Sequence, residues 1–70
     1  MMTLAQHIKI LFILNNLKQS DIAKKYRFDK GDVSKVISGI RRQAAIQNAI
    51  CYELNMPKEL VFKQEFLRTN

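Results

Sequence analysis

Apolar residues recur along this chain at the spacing of α-helices. Over residues 3–16 they return every three or four positions and would form one stripe on a helix: Leu4, Ala5, Ile8, Leu11 and Phe12. Thr3 is expected to cap this helix, with Gln6 in the capping-box position. Strand-like alternation is nowhere sustained, and two glycines and one proline leave little turn chemistry. The pattern therefore predicts an all-α fold, with one domain over residues 1–70.

The first helix carries more apolar residues than one stripe needs. The surplus residues fall on the opposite side of a helical wheel and are Met2, Ile10, Ile13 and Leu17. A helix that is apolar nearly all round must bury more than one face. Two interpretations remain open: the last helix folds back over this second face, or a second copy of the chain covers it in a homodimer.

The second and third helices are predicted on either side of a tight corner. The second begins at Gln19 or Ser20 and runs through Tyr26. Asp29 is a good N-cap for the third, predicted over residues 30–38. The residues expected to face inward on these two helices are Ile22, Ala23, Tyr26, Val33, Val36 and Ile37.

Residues with special backbone preferences mark the remaining helix ends. Gly39 is expected to end the third helix in the left-handed conformation. The fourth helix is predicted over residues 44–54 with Asn55 as its left-handed exit, and Pro57 suits the start of a fifth over residues 58–66. The residues of these helices expected to enter the core are Ile46, Ala49, Ile50, Leu54, Leu60, Val61 and Phe66.

Positive charge is concentrated in about one third of the chain. Residues 17–42 hold eight basic and three acidic residues, which accounts for +5 of the net charge of +6. The basic residues are Lys18, Lys24, Lys25, Arg27, Lys30, Lys35, Arg41 and Arg42. A concentrated positive face attracts a polyanion and does little for folding.

Composition argues against catalysis and against a membrane span. His7 is the only histidine, and it lies far in sequence from Cys51 and from every acid. No spacing fits a metal site, a nucleophile elbow or a phosphate-binding glycine loop, so we expect no enzyme, metal or cofactor. The longest apolar-rich run, Ile8 to Leu14, is interrupted by Lys9 and is shorter than the ~20 residues of a spanning helix. With a lone cysteine, the expected location is the cytoplasm.

Residues of the predicted second and third helices also form a known pattern: Gln19, Ile22, Ala23, Phe28, Val33, Ser34, Ile37 and Gly39. It resembles the helix-turn-helix of the phage repressor and Cro-like family, the lambda-repressor-like fold, and the separation of eleven residues between Ala23 and Ser34 matches. The resemblance covers about residues 17–62, including a fourth-helix ending at Leu54-Asn55-Met56. It implies a compact five-helix domain that binds double-stranded DNA as a homodimer.

The resemblance also implies two sets of contact residues. Base edges would be contacted by Lys30, Gly31, Asp32, Ser34 and Lys35. DNA phosphates would be contacted by Gln19, Arg41 and Arg42. Basic residues suit both tasks, because lysine donates to guanine O6 and N7, and cations beyond the reading helix lie over the backbone.

Several residues of this region depart from the family pattern or have a simpler interpretation. Arg27 stands where the family usually has glycine; a left-handed conformation there costs roughly 1 kcal/mol or more, so either the turn is reshaped or a phosphate holds Arg27. Gly31 weakens the third helix but permits close approach to DNA. Asp32 either complements the helix dipole or accepts from a cytosine amino group. Lys24 and Lys25 are interpreted as a solvated face.

The hypothesis from the sequence is a sequence-specific DNA-binding transcriptional regulator, of the phage or prophage repressor type. The alternative is a protein-interaction module, such as an antitoxin or adaptor, that uses the helix-turn-helix as a scaffold. Excess apolar surface on the first helix and the acid in the reading helix favour this alternative. A third hypothesis is an architectural DNA-binding protein without sequence preference.

Overall fold

The computed structural model describes residues 2–63 and is all-helical over that range. Five helices follow one another in the chain, and no strand occurs among the described residues. Their bounds are α1 (Leu4–Leu14), α2 (Gln19–Tyr26), α3 (Lys30–Ile37), α4 (Ala44–Leu54) and α5 (Lys58–Val61). The all-α class is therefore confirmed. Each predicted helix is present, but α5 ends at Val61, earlier than the predicted end at residue 66.

The start of α1 is fixed by the predicted capping box. The Gln6 amide donates to Thr3 Oγ1 at 3.2 Å, and the Thr3 amide donates to Gln6 Oε1 at 2.9 Å. The helix ends at Leu14, two residues before the expected end at Asn16. Asn15 closes it by donating its side-chain amide to the Leu11 carbonyl at 2.8 Å, and Asn16 takes a left-handed φ of 53°.

Three other predicted end signals are present. Asp29 caps α3 by accepting from the Gly31 amide at 2.8 Å. Gly39 follows α3 with a left-handed φ of 81°, and Asn55 ends α4 with a φ of 56°. Each end lies within one residue of its prediction, because these backbone preferences are local.

One hydrophobic core joins the five helices. Helix α2 packs against α3 and α4, α1 packs against α3, and α5 packs against α4. The largest side chains with less than 2 % exposure are Ile8, Ile22, Ile37, Ile46, Ile50, Val33, Val36 and Val61. Every helix thus contributes at least one fully buried residue.

Helix α5 enters the core differently from the prediction. Leu60 was expected inside but is 47 % exposed, whereas Phe62 is 4 % exposed. The helix has only four residues, and Phe62 leaves it with φ −105° and ψ 67°, which turns that side chain inward. Leu60 instead contributes its backbone carbonyl, which accepts from His7 Nε2 at 2.8 Å and links α5 to α1. Phe66 lies outside the described residues.

The face of α1 opposite the core stripe is exposed. Met2, Ile10 and Ile13 are 42, 43 and 77 % exposed, and together with Gln6 and Lys9 they line one shallow groove, the α1 groove. Leu17, expected on the same face, is half-buried and packs against the core. The last helix was one expected cover for this face, but residues 64–70 lie outside the described range.

Candidate nucleic-acid interface

Three residues connect α2 to α3, and the first of them is in the left-handed conformation. Arg27 has a φ of 59°, and the Phe28 amide donates to the Ala23 carbonyl at 2.9 Å. This is the arrangement in which a helix end usually carries glycine. For arginine the conformation costs about 1–2 kcal/mol. The turn therefore keeps the left-handed conformation that glycine would adopt, although residue 27 is an arginine.

Apolar packing holds α2 and α3 together. Ile22 and Ala23 on α2 and Val33 on α3 are buried in the common core. Ala23 is 8 % exposed, so the contact has room for a methyl group and little more. Phe28 in the connecting turn stacks on Tyr26 with ring centroids 5.7 Å apart and planes 12° apart. The two helices therefore form one rigid unit with the core.

A polar cluster links α2 to α4. The Glu53 carboxylate accepts from the Tyr26 hydroxyl at 2.7 Å and from Lys25 Nζ at 2.9 Å. The hydrogen bond from Tyr26, followed by that from Lys25, holds the pKa of Glu53 below its usual range. Glu53 in turn raises the pKa of Lys25. Lys25 is exposed, in agreement with the sequence interpretation of a solvated face, but its charge is paired with an acid 28 residues away, which that interpretation did not include.

The candidate base-reading residues lie along the solvent side of α3. Lys30, Gly31, Ser34 and Lys35 are exposed, and Asp32 is half-buried. The opposite side of the same helix is buried, with no residue of it more than 1 % exposed: Val33, Val36 and Ile37. Helix α3 therefore combines an anchored apolar side with a polar side that is open to solvent.

Asp32 and Arg41 form an ion pair across the end of α3. Arg41 Nη1 donates to Asp32 Oδ1 at 2.6 Å, and the two side chains are 44 and 32 % exposed. The structure thus brings together one candidate base-reading residue and one candidate phosphate-binding residue. Neither interpretation of Asp32 from the sequence included this contact, which joins residues nine positions apart.

The loop after α3 returns along the last turn of that helix. The amides of Ile40 and Arg41 both donate to the Lys35 carbonyl, at 3.0 and 3.3 Å. Gly39 makes this reversal possible: its φ is 81°, and a Cβ there would lie 3.3 Å from Leu4 Cδ2. Arg42 follows, exposed and without an ion pair among residues 2–63.

A second group of cations lies around the turn between α2 and α3. We call it the cationic cleft, and it is lined by Ser20, Ala23, Lys24, Arg27, Phe28 and Lys30. Lys24, Arg27 and Lys30 are exposed, and none of the three forms an ion pair within the described part of the chain. Lys24 had been interpreted as part of a solvated face. Its spacing of four residues from Ser20 along α2, together with Arg27 directly after that helix, was the available signal.

The remaining candidates do not form a group. Gln19 lies half-buried in the first turn of α2 and makes no side-chain hydrogen bond to the other candidates. Cys51 is half-buried, and burial raises the pKa of its thiol. Residues 2–63 contain no group of three or more histidine, cysteine, aspartate or glutamate residues that could hold a metal ion. Nor is any helix in this range long and apolar enough to cross a membrane.

Comparisons with known proteins identify no relative. No family model, no curated protein and no solved structure matches this chain. A function is therefore inferred from the geometry and charge of the described residues, together with the sequence pattern.

Proposed function

We propose that this protein is a sequence-specific double-stranded DNA-binding transcriptional regulator of the phage repressor type, in which α2 and α3 act as a lambda-repressor-like helix-turn-helix. One observation carries the proposal. Helix α3 is anchored by a side that is at most 1 % exposed, and its other side and its flanks present cations to solvent. The buried side of α3 contributes to folding. The exposed cations do not, and their concentration supports binding to a polyanion.

The dimensions of α3 suit the proposed role. An α-helix with its side chains is about 10–12 Å in diameter, and the major groove of DNA, about 12 Å wide, admits one. Lys35 would donate to guanine O6 and N7, and Ser34 would donate to or accept from either type of base pair. Gly31, which has no side chain, would let the helix backbone approach the base edges closely.

Phosphate contacts are assigned to residues that flank α3. Arg42 is exposed and unpaired within the described range, and Gln19 opens α2. Arg41 would contribute only after leaving Asp32, because its guanidinium is held by that carboxylate. Phosphate contacts position the protein on DNA but carry no sequence information.

A homodimer is part of the proposal. One copy measures 30 × 23 × 17 Å, which is compatible with two copies side by side on half-sites about 34 Å apart. The α1 groove offers Met2, Ile10 and Ile13 as an apolar contact. Leu17 would contribute less, since it is already half-buried.

Selection of binding sites from random DNA duplexes tests this function. We expect enrichment of a two-fold symmetric sequence. The variant Lys35→Ala should change which sequence is enriched, whereas Arg42→Ala should weaken binding to all sequences alike. Recovery of duplexes without any sequence preference would instead indicate an architectural DNA-binding protein.

The α1 groove favours a second candidate function, a protein-interaction module such as an antitoxin or adaptor. Its exposed apolar residues need a cover, and a partner protein would supply one as well as a second copy would. Light scattering after size exclusion separates the two. A dimer of defined mass supports the repressor, and a monomer that aggregates without a partner supports the interaction module.

A further inference from the structure

We propose that the cationic cleft binds one phosphate group, held by Lys24, Arg27 and Lys30. In the DNA complex, and so resting on the proposed function, this group is a backbone phosphodiester next to the groove that α3 enters. Compared with the contacts implied by the sequence, the inference adds Lys24 to the interface and assigns Lys30 to the DNA backbone instead of the base edges. Without DNA, the same chemistry would suit a free phosphorylated small molecule.

Three cations and two apolar residues line the cleft. Ser20 and Lys24 lie four residues apart on α2, Arg27 directly follows that helix, and Lys30 is the first residue of α3. Ala23 and Phe28, which also line the cleft, are buried and half-buried. Walls of one charge over a surface of low dielectric focus the field and attract a counter-ion. The Ser20 hydroxyl adds a neutral donor beside the three cations.

The cations of the cleft have no acidic partner within the described part of the chain. Lys25 is paired with Glu53 and Arg41 with Asp32, whereas Lys24, Arg27 and Lys30, like Lys35 and Arg42, form no ion pair there. Two acids adjoin cleft residues in sequence, Asp21 after Ser20 and Asp29 before Lys30, and neither forms an ion pair with a cleft cation within the described residues. The three cleft cations therefore repel one another in the free protein, and a bound phosphate would relieve that repulsion.

The backbone at Arg27 gives an independent reason. Its left-handed φ of 59° is a conformation in which glycine would be more stable. Strain of this kind persists where the side chain has a function. At this position the side chain is directed to a cleft that already holds two lysines, and charge-assisted hydrogen bonds to phosphate oxygens are what a guanidinium makes best.

The test uses two cleft variants and one control of equal charge change. Lys24→Gln and Arg27→Gly each remove one positive charge from the cleft, and glycine suits the backbone at residue 27. Lys58→Gln removes a charge from an exposed position at the start of α5, outside every proposed contact. Duplex affinity is measured by fluorescence anisotropy between 50 and 200 mM salt.

Each cleft variant should lose one phosphate contact in each subunit of the dimer, and so reduce the slope of log affinity against log salt by about 1.8. Its affinity would then fall about 12-fold less over this range than that of the unmodified protein. The preferred sequence should not change, and Lys58→Gln should leave the slope unchanged. If the protein binds duplex DNA and both cleft variants retain its slope, the cleft inference is overturned while the proposed function stands.

A second measurement separates the two sources of phosphate. Inorganic pyrophosphate is titrated into the protein without DNA, and the amide resonances of residues 20–30 are followed by NMR. Saturable shifts that Lys24→Gln abolishes, in a protein that fails to bind duplex DNA, would assign the cleft to a free phosphorylated ligand and refute the proposed function. Absence of both DNA binding and pyrophosphate binding would overturn both proposals.

Discussion

Replacing Asp32 by asparagine is expected to strengthen DNA binding by freeing Arg41. The two side chains are joined at 2.6 Å but are 32 and 44 % exposed, so solvent screens their attraction. Ion pairs of this exposure contribute about 0.2–1 kcal/mol. The ion pair must break, at the cost of this free energy, before Arg41 can bind a phosphate. Removing the pair should therefore increase the effect of Arg41 on DNA affinity by about 1.4- to 5-fold.

A double-mutant cycle separates the contribution of the Asp32–Arg41 ion pair from the general effect of removing a negative charge. Duplex affinities of the unmodified protein, Asp32→Asn, Arg41→Ala and the double variant are measured at one salt concentration. Arg41→Ala should weaken binding more in the Asp32→Asn background than in the unmodified protein. Asp21→Asn serves as the control, because it removes the same charge from an exposed position on α2. Equal losses from Arg41→Ala in both backgrounds, or weaker binding by Asp32→Asn, would refute the reasoning.

Three further predictions concern stability. Ala23→Leu should destabilise the fold by about 1–3 kcal/mol in urea denaturation, because Ala23 is only 8 % exposed in the core. Gly39→Ala should cost about 1–2 kcal/mol in the same assay, since its φ is 81° and the added Cβ would lie 3.3 Å from Leu4 Cδ2. Glu53→Gln should lower the melting temperature at pH 7. The Tyr26 hydroxyl lowers the pKa of Glu53, so the ionised carboxylate stabilises the fold. The difference in melting temperature between the two proteins should have its full size above the usual pKa of glutamate and disappear as the pH falls through the lowered pKa. A difference in melting temperature that persists at pH 2 would contradict this reasoning.

Features set by neighbouring residues could be predicted from the sequence. The Thr3 and Gln6 capping box, the Asp29 cap and the left-handed Gly39 and Asn55 all occur where residue type indicated them. These devices depend on hydrogen bonds and backbone preferences within a few residues. The apolar spacing likewise identified the buried side of α3, because a helix presents every third or fourth residue to the core.

Features that depend on chain reversals could not be predicted. Asp32 meets Arg41 only because the loop turns back at Gly39, and Glu53 reaches α2 only after α4 has packed against it. The exposure of Leu60 could not be predicted either, because α5 has only four residues and the chain leaves it with Phe62, not Leu60, turned inward. Side-chain pairs of this kind follow from tertiary packing, which periodicity does not specify.

The salt dependence of duplex DNA binding tests the central claim most directly. Affinity for a random-sequence duplex is measured by fluorescence anisotropy over increasing salt, for the unmodified protein and for Arg42→Ala. A protein that binds DNA through the cations of α2, α3 and the following loop should lose affinity steeply as salt rises. Arg42→Ala should reduce the slope by about 0.9 for each subunit of the bound dimer. Binding that is absent at low salt, or that does not respond to salt, would contradict the claim.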